Sequence, residues 1–194
     1  MSSPIQYDLQ WTREREAGLG PGDEHALQVA ANRRLFNRWL DAGLGEWMVP
    51  RSAFDVIELG DLIGSLCVYD RDEERDDYLC RVFGGTVAED IGVDMTGRYL
   101  SSYAEPVRQV VRSQYDRVVA SRRPLVAVYQ VVQVERSALY PRERGRFLHE
   151  KLILPVTRSG RTIDCFITHV ARLPADTPVA RKPAVAADPA DAAG

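Results

Sequence analysis

The chain has 194 residues, 45% of them hydrophobic, and a formal net charge of -3. That length suits one globular domain with extensions, and the weakly acidic balance argues against nucleic acid or an anionic membrane surface as the main partner. No apolar run approaches the ~20 residues that span a bilayer, and the start MSSPIQYDLQWTRERE lacks the apolar core of a secretory signal, so a cytoplasmic location is expected.

Residues 1–22 are polar and end in a Gly/Pro breaker cluster, which predicts a flexible N-terminal segment. Asp23 is placed to cap an amphipathic helix over about 24–42. Val29, Ala31, Leu35, Phe36, Trp39 and Leu40 form its apolar arc, and Gly43-Leu44-Gly45 stops it. Such an arc must pack on the domain, on a second chain, or on both. Trp47–Arg51 is a connector, and Ser52 with Asp55 can cap a short helix whose apolar side is Ile57, Leu59, Leu62 and Ile63.

From Ser65 the pattern becomes strand-like. Strands are expected over Leu66–Asp70 and Asp77–Phe83, joined by the charged turn 71–76. Short helical turns over 86–103 precede a helix over 104–121, with Val107, Val110, Val111, Gln114, Tyr115, Val118 and Val119 on one face. Three strands follow: Leu125–Glu135, Arg146–Thr157 and Thr162–Leu173, the last two joined by the tight-turn signal Arg158-Ser159-Gly160-Arg161. The Ser137–Gly145 loop is basic and polar. Residues 174–194 are Ala/Pro/Asp-rich and predict a disordered tail. The order predicts an α+β domain at 46–173: a five-stranded antiparallel sheet with helices on one face, plus the N-terminal amphipathic helix over 23–45.

Few residues carry a chemical signal. Gly84-Gly85-Thr86 follows a strand, as a phosphate loop would, but no GxGxxG or lysine-bearing loop surrounds it and Glu89 and Asp90 oppose an anion. Turn-making glycines are the better reading. The acidic run 70–76 has Arg75 and Arg81 where a calcium loop needs Gly and Glu, so it reads as a solvated turn. Cys67, Cys80 and Cys165 are odd in number, lack CxxC spacing and read as buried thiols, not a disulfide or zinc frame. The basic stretch Tyr140–Lys151 reads as a solvated loop, because Glu143 and Glu150 interleave with its Arg and Lys residues. His149 and His169 read as strand histidines. No nucleophile elbow or HExxH motif appears, so no catalytic or metal set is expected. Any pocket should lie between the sheet and helix 104–121, with Val111, Gln114, Tyr115 and Phe166 as candidate lining residues; packing of the core alone would use the same residues.

The element order resembles the PAS superfamily. Val82-Phe83, Ile91-Gly92 and Met95-Thr96-Gly97-Arg98-Tyr99-Leu100 look like its strand exit and following helical turns. Leu152-Ile153-Leu154-Pro155-Val156 and Ser159-Gly160-Arg161-Thr162-Ile163-Asp164 look like its last hairpin. Met48–Asp55 before the first strand and Arg81 in the second are similar to a single-PAS group common in alphaproteobacteria. The likeness covers about residues 46–172. It implies a sensory or regulatory module, often dimeric and usually without its own catalysis. The strand-end Asn of many PAS domains is replaced by Gly84 or Gly85. A haem-binding histidine in helix 104–121 and an NCRFLQ-like flavin motif are both absent, so no cofactor is expected, although haem through His169 and flavin stay open.

Two functions follow as expectations. In the first, the chain acts in bacterial signalling by ligand- or partner-dependent protein–protein contact, as a homodimer through Leu35, Phe36, Trp39 and Leu40. Its output passes to a separate signalling protein, because no kinase, cyclase or DNA-binding segment is recognised. In the second, it is a small ligand-binding enzyme or carrier of another α+β fold, which needs an inward-facing acid–base pair. Asp164 and His169 differ by five positions and should face opposite ways.

Overall fold

A computed structural model describes residues 7–43, 48–54, 59–135 and 142–174. Asp55, Ile57, Tyr140 and the expected tail at 175–194 lie outside the described residues. The fold is α+β, built on six antiparallel strands in the order β1-β4-β5-β6-β2-β3. These are β1 (Tyr7–Gly18), β2 (Leu66–Asp72), β3 (Asp77–Phe83), β4 (Leu125–Glu135), β5 (Arg142–Val156) and β6 (Cys165–Leu173). The helices are α1 (Ala30–Gly43), α2 (Gly85–Ile91) and α3 (Val107–Ser121), with short 3-10 segments of three to six residues between elements.

The sixth strand corrects the expectation of five. Residues 7–18, read as flexible from their polarity, pair with β4 from Tyr7↔Glu135 to Gly18↔Leu125. A strand at the edge of a sheet needs little apolar surface, because its backbone ladder supplies the pairing. Such a strand gives no alternating hydrophobic signal.

Helices cover both faces of the sheet, not one. Period-2 alternation sorts the strand residues: Cys67, Tyr69, Ile153, Phe166 and Val170 point toward α2 and α3, while Leu66, Val68, Leu152, Leu154 and Ile167 point toward α1. Leu35, Phe36 and Trp39 of α1 are buried against that second face, and the Trp39 indole N–H donates to the Pro155 carbonyl at 2.6 Å. Three of the four residues assigned to a dimer surface are therefore covered by the chain's own sheet. Leu40 is half-buried.

The helix expected over 24–42 is divided. A 3-10 turn occupies Glu24–Ala26, and α1 starts at Ala30. Asp23 does not cap it; its carboxylate accepts the Gly20 N–H instead at 2.7 Å. The helix over 104–121 begins at Val107, after Pro106. The strand expected from Arg146 already begins at Arg142, so residues 142–145 of the expected loop are strand and the basic stretch through Lys151 is not a solvated loop. The 158–164 link is a wider loop than a two-residue turn. There the Asp164 carboxylate accepts the N–H groups of Arg158 and Ser159.

Gly84 and Gly97 are needed for backbone shape. A Cβ on Gly84 would lie 2.3 Å from the Gly64 carbonyl oxygen, so only glycine fits where β3 passes into α2. Gly97 has φ +76, in the left-handed region that other residues avoid. Its N–H donates to the Cys80 carbonyl and the Cys80 N–H to the Arg98 carbonyl, which shields part of the β3 edge.

Candidate functional site

The centre of β5 reads Leu-His-Glu-Lys-Leu, and its three polar residues are all buried. Alternation sends His149 and Lys151 to the α2/α3 side and Glu150 to the α1 side. Each holds a different helix.

His149 Nε2 and the Asp90 carboxylate of α2 are 2.8 Å apart. Arg172 of β6 also donates to Asp90, through Nε at 2.9 Å and through its terminal nitrogen. Burial alone raises the Asp90 carboxyl, but the bonds from His149 and Arg172 outweigh it and hold the group below the usual carboxylate range. The His149 ring stacks on Tyr129 at 5.5 Å, and its buried Nδ1 has no hydrogen bond among the described residues.

Glu150 accepts the Gln28 N–H at 2.7 Å, the Val29 N–H at 3.0 Å and the Asn32 side-chain amide at 2.9 Å. These donors sit at the start of α1, where free N–H groups and the helix dipole favour an anion. Glu150 thus does from across the sheet what Asp23 was expected to do locally. Asn32 in turn accepts from His169 Nδ1 at 2.7 Å. Burial pulls His169 down to about 4, with Asp61 opposing the shift.

Lys151 donates to Gln114 Oε1 of α3 at 3.0 Å and lies 5.0 Å from the centre of the Tyr115 ring. The Gln114 amide N–H donates to Glu16 of β1 at 3.0 Å, and Arg117 closes the chain with an ion pair to the same carboxylate. Burial lowers the Lys151 ammonium to about 8.

Lys151 borders a cavity of about 30 Å³ between the sheet and α3. Val111 and Tyr115 from α3 line it, as do Tyr69 of β2, Tyr129 of β4 and Thr168 of β6. Tyr115 shares a 2.9 Å bond with Thr168, and burial raises Tyr69, Tyr115 and Tyr129 well above an ordinary phenol. Cys67, also in the lining, is pushed up to about 12 by burial. The space is about that of one or two waters, far below the ~300 Å³ of an organic-ligand pocket.

Of the four candidate lining residues, Val111 and Tyr115 reach the cavity and Gln114 reaches Lys151. Phe166 sits one layer away, edge-on to Tyr115 with ring centres 5.1 Å apart. Asp164 and His169 are not brought together, since one caps a loop and the other faces α1. Sequence reading missed Lys151, Glu150 and Asp90. A signal existed: His149, Glu150 and Lys151 are flanked by Phe147-Leu148 and Leu152-Ile153-Leu154, and polar residues inside such an apolar stretch must each find a partner if buried.

One further reading changes and one stands. Asp70, expected both as the end of a strand and as the start of the solvated acidic run, is in β2, buried and paired with Arg81 and Arg158. The cysteines are free and buried. Among the described residues no helix is long and apolar enough to cross a membrane.

No family model matches the chain, and no curated protein or solved structure matches it either.

Proposed function

We propose that this chain is a sensory or regulatory PAS-type module that receives a ligand or partner signal at the Lys151 chamber and reports it through α1 to a second protein, with no catalysis of its own. The succession of two strands, short helical turns, a long helix and three strands supports the PAS-type reading. One observation carries the signalling reading: Lys151 and Glu150 are adjacent on β5 and tether α3 and α1 from opposite faces. A shift of β5 at the chamber then alters the anchor of α1, and a ligand favouring one arrangement shifts the population.

Undocking of α1 would free Leu35, Phe36 and Trp39 for a second chain, so contact through these residues, in a homodimer or with another partner, belongs to the signalled state.

Hydrogen exchange tests the coupling. In Lys151→Met, the amides of Gln28, Val29 and Arg33 should change protection while those of the β2–β3 hairpin hold. If α3 amides respond and these three do not, the chamber does not address α1 and the signalling reading fails.

A further inference from the structure

We propose that the cavity beside Lys151 is a receptor site for one small monovalent anion, of the size of chloride, bromide, nitrate or formate, bound by the Lys151 ammonium. The idea deepens the sensory reading and rests on it only for what binding reports.

Three observations carry it. First, among the described residues no carboxylate lines the cavity: its polar groups are Lys151, Thr168, Cys67 and four phenols. Second, the one hydrogen bond of Lys151 among the described residues goes to a neutral amide oxygen on Gln114. The carboxylate next along that chain, Glu16, lies beyond the Gln114 amide and is paired with Arg117. Third, the ammonium is deeply buried, at 5% exposure, yet remains largely protonated at neutral pH with its titration near 8.

An ammonium carries three donors, and a buried charge without a counter-charge costs several kcal/mol. A monoanion in contact with it cancels that charge. A divalent anion would leave one charge buried, and a metal cation would add to the one already there. Size selects further. About 30 Å³ admits a halide or a three- or four-atom oxyanion and excludes aromatic acids and nucleotides. The phenols supply O–H donors around it, with Tyr115 and Thr168 held together at 2.9 Å and Tyr69 and Tyr103 at 3.5 Å.

The test uses the full chain in halide-free sulfate buffer. Bromide is titrated at constant ionic strength, with the thermal midpoint and the bromide NMR linewidth as readouts. The expected result is a saturable rise in midpoint with matching line broadening, both lost in Lys151→Met. Affinity should fall about tenfold per pH unit above 8, as Lys151 loses its proton. Equal effects in the parent and Lys151→Met, or no saturable broadening in the parent, would overturn the site. The linewidth arm needs no variant, so a misfolded Lys151→Met leaves the test decisive. Bromide binding without any change in α1 amide exchange would keep the anion site and sink the sensory reading. Coupling of Lys151→Met to α1 without bromide binding would do the reverse.

Discussion

Glu150 and Lys151 are consecutive on β5, yet the Glu150 carboxylate holds the start of α1 and the Lys151 ammonium holds Gln114 of α3 from the other face. Opposite charges this close in sequence do not pair with each other, because strand geometry sends them to opposite sides of the sheet. Each must find its compensation in a different layer. The layers are thus joined by directional polar contacts at these two residues, as they are at His149–Asp90 and His169–Asn32, and by apolar packing around them. Apolar contact is non-directional; a buried hydrogen-bonded group fixes position and direction.

Removing the α1 anchor should cost stability locally first. Glu150→Ala leaves the Gln28 and Val29 N–H groups and the Asn32 amide without their acceptor. The expected loss is about 3 kcal/mol by urea unfolding, since a buried group left unpaired costs about 1–3 kcal/mol. Glu150→Gln keeps one acceptor oxygen and should lose about half as much. Amide exchange should rise in α1 well before β5. Uniform loosening of the whole sheet would mean that Glu150 supports the core and is no specific anchor of α1.

The strands were legible in the sequence to the extent that their apolar residues alternate. Asp77–Phe83 and Leu125–Glu135 have the boundaries that the pattern predicts. The edge strand β1 was not legible, because ladder pairing to β4 needs no apolar period. The placement of α1 was open for a different reason. Its apolar arc shows that something covers it, but an arc carries no address. The address is the Glu150 contact, 121 residues away in sequence from Val29. Val111, Gln114 and Tyr115 were visible as one face of a helix, whereas Lys151 was hidden inside a run of charges that resembles a surface loop.

Acid should loosen the same helix. His169 titrates at about 4 in the fold against 6.5 when free, because burial disfavours the imidazolium. The unfolded chain therefore binds more protons between those values, and stability falls as pH drops from 6.5 toward 4. The groups facing the ring are Asn32 and Arg34 of α1, and Asp61. A shift of this size corresponds to on the order of 3 kcal/mol. His169→Gln should flatten that part of the stability curve. An unchanged slope between pH 6.5 and 4 in the variant would assign the acid sensitivity to other groups.

Lys151 should give a pH dependence at the other end of the scale. Its folded value near 8 lies below the free value of 10.5, so the unfolded chain keeps the proton through that window. Wild-type stability then gains on the order of 3 kcal/mol from this group as pH rises from 8 to 10.5. In sulfate buffer at pH 7, Lys151→Met should be more stable than the parent by about 1–2 kcal/mol, less than the full figure because Gln114 Oε1 loses its donor. The advantage should shrink and reverse as pH approaches 10.5. Paired urea titrations at several pH values measure it, and a variant less stable than the parent at pH 7 would contradict a costly buried charge.

Gly84 and Gly85 separate two meanings of a paired glycine. If they served as a phosphate cradle, both would matter through their open backbone N–H groups. The structure gives them different surroundings. A Cβ on Gly84 would lie 2.3 Å from the Gly64 carbonyl oxygen and 2.6 Å from its carbon, both backbone atoms that cannot move aside cheaply. A Cβ on Gly85 meets nothing within 4 Å, at the first position of α2. Gly84→Ala should therefore cost about 2–3 kcal/mol, in the range of overpacking a close contact. Gly85→Ala should be neutral or stabilise by up to about 1 kcal/mol, as glycine is a poor helix residue. Chemical unfolding of the two variants side by side decides the matter. Equal damage from both would remove the steric account of the Gly84 passage from β3 into α2.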